Sequence, residues 1–169
     1  NRELKNIDGL MGITEVLGDL SLSDNPKIES LEGLSNLTSI SGLFDILTLN
    51  SIHNLHGLEN LNYVGNVCYI IGNENLENID ALSNISDSTF AIQINDNHNL
   101  ISIKGLSHLT HLRRFSLGDN NSLLTLEGLE NLKQIDNIFS LTFGEFEEIS
   151  QLSNLESVGN LFFVDNETL

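Results

Sequence analysis

The chain has 169 residues, 24 acidic against 7 basic, for a formal net charge of −17. That balance speaks against DNA or RNA binding, which needs Lys and Arg to neutralise phosphates, and against an anionic membrane surface. A lone cysteine allows no internal disulfide, and no His/Cys set has the spacing of a zinc site, so no metal or cofactor is expected.

Residues 1–18 begin with apolar positions three apart, Leu4, Ile7, Leu10 and Ile13, with Val16 following. The clearest stretch comes next, residues 20–40. A short alternation (Leu20, Leu22) predicts a strand. Asn25 follows, and then apolar residues at every third position: Ile28, Leu31, Leu34, Leu37 and Ile40. A three-residue period fits neither a strand nor a 3.6-residue helix; it fits a path of 3₁₀-like bends.

Indexed on Asn25, the whole chain repeats. The equivalents are Asn1, Asn25, Leu49, Asn73, Asn97, Asn120, Phe143 and Asn166, at spacings of 24 and then 23 residues. Nine places on lies an unbroken leucine column (Leu10, Leu34, Leu58, Leu82, Leu106, Leu129, Leu152), usually preceded by glycine. A second polar column holds Asn36, Asn60, Asn84, Asn131 and Asn154, with His108 as its exception. Fixed-period self-similarity of this kind predicts a solenoid whose coils bury a shared core. The expected structural ladder is Asn1, Asn25, Asn73, Asn97, Asn120 and Asn166, each inward amide bonded to neighbouring backbone because buried polar groups must be paired. Four N-x-Ser/Thr sequons begin at Asn36, Asn84, Asn120 and Asn166; their places in the polar columns give them a structural reading.

Two places break the asparagine file, Leu49 and Phe143. There, strands at residues 47–49 and 141–143 shifted by three residues also fit; the even spacing and the unbroken leucine column favour the unshifted register, and a bulge fits at either place. On the unshifted register the exposed strand faces run along the chain as follows. Leu43, Asp45 and Leu47 are followed by Val67, Tyr69 and Ile71, with Cys68 pointing inward. Ala91, Gln93, Asn95, Arg114, Ser116 and Gly118 form a polar middle. Phe139 and Leu141, then Phe162 and Val164, restore an apolar surface. An exposed apolar patch marks a contact surface, so the candidate binding residues are Tyr69, Ile71, Val67, Leu47, Leu43, Phe139 and Phe162.

The column before the ladder reads Asp24, Thr48, Gly72, Asp96, Asp119, Thr142 and Asp165. Turn chemistry explains it, because Asp beside Asn favours tight turns. The histidines do not converge, and no P-loop, nucleophile elbow or cysteine pair is present. No catalytic residue is assigned.

The pattern L-x-L-x-x-N-P-x-I-x-x-L-x-G-L-x-N-L-x-x-I, beginning at Leu20 and recurring over residues 1–169, resembles the leucine-rich repeat group that includes receptor L domains and related bacterial cell-surface proteins. The expectation is a single leucine-rich repeat solenoid over 1–169: a right-handed parallel β-solenoid of about seven 23–24-residue coils, with one long parallel sheet and bends or 3₁₀ turns elsewhere. The chain is read as an excerpt of a longer protein continuing into further repeats or domains. The resemblance implies a non-catalytic binding or adhesion module of a secreted or cell-surface protein, with a protein or carbohydrate ligand on the exposed sheet. A structural spacer is the alternative, and a carbohydrate-active enzyme a third reading. The chain lacks the terminal disulfides of receptor L domains and has evenly repeated coils, which points away from hormone-receptor function and towards an adhesin-like or uncharacterised microbial protein.

Overall fold

The computed structural model describes residues 1–86, 90–146 and 148–166. It is a parallel β-solenoid of about six turns, not the seven coils expected. The strands are β1 (Glu15–Val16), β2 (Leu20–Ser21), β3 (Ser39–Ile40), β4 (Phe44–Leu47), β5 (Tyr63–Val64), β6 (Val67–Ile71), β7 (Ala91–Asn95), β8 (His111–Gly118), β9 (Gln134–Thr142) and β10 (Ser157–Val164).

The three-residue period has a direct backbone cause. At successive corners the amide of an inward residue bonds the carbonyl three places back: Ile28 to Asn25 at 3.1 Å, Leu34 to Leu31 at 2.8 Å, Leu37 to Leu34 at 2.8 Å. Each such turn returns the chain to the core, so Ile28, Leu31, Leu34, Leu37 and Ile40 are all at most 1 % exposed. The same columns continue through Ile52, Leu55 and Leu58 to Leu123, Leu126 and Leu129. Regular 3₁₀ turns mark the glycine–leucine corner at Asp8–Leu10, Glu32–Leu34, Asp80–Asn84, Lys104–Leu106 and Ser150–Leu152. At that corner Gly57 has φ +107°, and a Cβ there would sit 2.3 Å from the Leu31 carbonyl oxygen, so glycine is required on both counts.

The expectation of one long sheet is corrected: the strands form two. Seven lie in the order β10-β9-β8-β7-β6-β4-β2, and three more in the order β1-β3-β5. In the early coils the chain bends between the two, at Ser41 and Gly42 and again at Gly65 and Asn66. Successive coils touch there, since a Cβ on Gly65 would lie 2.1 Å from the Ser41 carbonyl oxygen. In the later coils the corner is drawn into continuous strands. β8, β9 and β10 absorb it as register shifts between Leu112 and Arg114, and between Val158 and Asn160.

Those shifts also correct the register at Phe143. Gly118 pairs with Thr142, a step of 24, and Thr142 with Val164, a step of 22. The ladder position is therefore Gly144, whose amide donates to Asn166 Oδ1 at 3.2 Å. Phe143 falls instead in the preceding column, where Asp24, Thr48, Asp96, Asp119, Phe143 and Asp165 all have φ between 51° and 57°. At Leu49 the unshifted register holds: its amide donates to Asn73 Oδ1 at 2.9 Å, and the side chain is fully buried.

The central ladder forms one file. Asn73, Asn97 and Asn120 are at most 3 % exposed. Asn97 Oδ1 accepts the Asn73 amide at 3.0 Å, and its Nδ2 donates to the carbonyls of Ile70 and Asn95 at 2.9 Å each. Asn25 and Asn166 are half-buried and bond mainly to carbonyls. Asn1 does not join the file; it is exposed, and its Oδ1 accepts the Glu3 amide. The second polar column also bonds coil to coil, with Asn36 donating to the Met11 carbonyl at 2.8 Å and Asn84 to that of Glu59 at 2.6 Å. His108 takes the same role through Nε2 and the Ile85 carbonyl. The sequon at Asn166 runs on into residues outside the described ones.

Candidate functional site

The outward face of the seven-stranded sheet is built by strand alternation: residues two apart share a face. Phe44, Ile46, Cys68 and Ile70 point into the core and are fully buried. Burial pushes the Cys68 thiol up to about 12, so it is a core side chain rather than a nucleophile. Between these residues, Asp45, Leu47, Val67, Tyr69 and Ile71 are half-buried on the outer face, with Leu43 just before β4. The register places Asp45 beside Tyr69 and Leu47 beside Ile71. Leu43, Leu47, Val67, Tyr69 and Ile71 are thus gathered on two adjacent strands. The Leu43 amide is held by Asp19 Oδ1 at 2.7 Å.

Phe139 is not on this face. It is fully buried, with ring centroids 5.7 Å from Phe115 and 5.9 Å from Phe163. A one-residue register slip moves every side chain of a strand to the other face. β9 therefore presents Ile138, Ser140 and Thr142, and Leu141 is buried with Phe139. The signal is present in the sequence: Phe115-Ser116-Leu117 recurs as Phe139-Ser140-Leu141, 24 residues on. Phe162 is outward and 47 % exposed, but on β10, four strands from Tyr69 in β6. At about 4.8 Å per strand that is about 19 Å. The outer face is therefore apolar at β4–β6, mainly polar across β7–β9, and apolar again at β10.

Asp45, between Leu43 and Leu47, is the carboxylate that the apolar patch encloses. Its carboxyl is raised above the ordinary range by partial burial and by neighbouring Asp19, against a lowering hydrogen bond from Ser21. A carboxyl raised in the folded state opposes folding once ionised, so the penalty is present at neutral pH and disappears as pH falls below the unfolded value. Asp45→Asn should therefore raise the urea midpoint at pH 7 and leave it unchanged near pH 3. An equal effect at both values would show that charge is not the cause.

The histidines pair locally. His53 meets Glu77 at 3.2 Å, His56 meets Glu59 at 2.5 Å, and His111 meets Asp136 at 2.9 Å. The His111 and Gln134 hydrogen bonds hold the Asp136 carboxyl below the usual range. Among the described residues, no group of three or more His, Cys, Asp or Glu is placed to hold a metal ion. No helix among them is long and apolar enough to cross a membrane.

Compared with protein-family models, with curated proteins and with solved structures, the chain matches none.

Proposed function

We propose that this solenoid is a non-catalytic binding module of a secreted or cell-surface protein, and that its ligand contacts the outer face of the seven-stranded sheet around Tyr69. Its repeat columns support kinship with leucine-rich repeat proteins of the receptor L-domain type. The observation that carries the reading is the patch itself: Leu43, Leu47, Val67, Tyr69 and Ile71 stand half-open to solvent on two paired strands. Aromatic side chains at the centre of such patches dominate interface energies, and tyrosine adds a hydrogen-bonding hydroxyl.

The test is a screen of the intact chain against immobilised glycans and purified extracellular proteins, repeated with Tyr69→Ala. Tyr69 is only half-buried, so the variant keeps its fold by circular dichroism while its affinity for the ligand found drops about tenfold or more. A ligand bound equally well by Tyr69→Ala would move the site elsewhere. Absence of any ligand would favour a spacer.

A further inference from the structure

Arg113 and Arg114 are the only adjacent pair of basic residues in a chain with a net charge of −17. They stand at the register shift of β8, where Leu112 pairs with Ile135 and Arg114 with Ile138. A bulge of this kind re-aims side chains. Both arginines line one cleft of about 230 Å³, together with Val67, Ala91 and Asn137. Arg113 is half-buried, and its guanidinium is held by a 2.8 Å hydrogen bond from Nη2 to Asn66 Oδ1. Arg114 is exposed. Among the described residues neither arginine forms an ion pair, whereas Lys27 and Lys104 are bound to Glu3 and Glu127. The carboxylate in the neighbouring bulge, Asp136, is already engaged by His111 and Gln134.

The surrounding face matches this. The outward positions of β7, β8 and β9 are Ala91, Gln93, Asn95, Arg114, Ser116, Gly118, Ile138, Ser140 and Thr142, and they contain no acid. One register line runs straight across the sheet through Tyr69, Gln93, Ser116, Ser140 and Phe162. An amide and two hydroxyls thus lie between two aromatic rings, with Arg114 one row away. Among the described residues, the Asn95 Oδ1 beside this line is an acceptor without a partner.

From this arrangement we infer that the Arg113–Arg114 cleft takes a carboxylate of an acidic polysaccharide lying across the strands from Tyr69 towards Phe162. The inference rests on the sheet-face reading above and adds its ligand class. A guanidinium fork matches a carboxylate with two parallel hydrogen bonds. The central strands have both edges paired, so a peptide cannot add there as an extra strand; a hydroxyl-rich polymer read by side chains alone fits. The outward carboxylate on the same register line, Asp45 beside Tyr69, lies three strands from Arg114, about 14 Å, and charge is screened beyond about 8 Å at physiological salt.

Polygalacturonate oligomers, their methyl esters, dextran sulfate and poly-L-glutamate should be titrated into the intact chain at physiological ionic strength. Polygalacturonate binds in preference to the neutral ester. Arg114→Gln, exposed and outside the core, weakens it about ten- to hundredfold, and Arg114→Lys, which keeps charge but loses the fork, falls between. Several results overturn the inference: no binding of polygalacturonate, equal binding of the ester, insensitivity to Arg114→Gln, or preference for the sulfated polymer. Preference for poly-L-glutamate assigns the cleft to acidic peptide instead. Binding of the ester that Tyr69→Ala abolishes and Arg114→Gln spares would keep the sheet-face reading while ending this one.

Discussion

Asn97→Ala should destabilise the chain by about 3–5 kcal/mol, since each buried polar group left without a partner costs about 1–3 kcal/mol. The carboxamide serves both neighbouring coils. Removing it strips the acceptor from the Asn73 amide and side chain, and the donor from the Ile70 carbonyl, all in a fully buried file. Asn97→Asp should fare no better at neutral pH, because an ionised oxygen would face the carbonyls of Ile70 and Asn95. Asn25→Ala is the control. Asn25 is half-buried and bonds the carbonyls of Leu22 and Ser23, so about 1 kcal/mol is expected. Urea unfolding of the three variants checks the ordering. Equal midpoints for Asn97→Ala and Asn25→Ala would mean that the file does not hold the coils together.

Phe139→Ala should cost about 3–5 kcal/mol, the usual range for emptying a buried aromatic site. Its ring lies between Phe115 and Phe163, so both contacts go with it. Phe162→Ala, one row away on the outer face, should stay within about 1 kcal/mol. This pair tests the register of β9. Were Phe139 outward, as even 23-residue spacing implies, its removal would be nearly silent and Ser140 would lie in the core. Thermal or urea midpoints decide, and a silent Phe139→Ala would refute the 24-and-22 step.

Much of the architecture is legible in the order of the amino acids alone. Stacked leucines at a three-residue period dictate successive tight turns, and a buried asparagine file is meaningful only if coils lie in register above one another. The inward set of Ile28, Leu31, Leu34, Leu37 and Ile40, the ladder at Asn73, Asn97 and Asn120, and the outward group of Leu43, Leu47, Val67, Tyr69 and Ile71 all follow from such local periods. Asn1 breaks the rule within the file: it is exposed, and its Oδ1 accepts the amide of Glu3 two residues on.

The coil is therefore written in the amino-acid order, because period and side-chain burial are properties of a few consecutive residues. How each coil absorbs a spare residue is settled only in three dimensions: the corner bends away, as at Gly65, or runs on as a bulge, as at Arg113. That choice depends on contacts with the coil before and the coil after. It divided one expected sheet into two, turned Phe139 inward, and set two arginines side by side in one cleft.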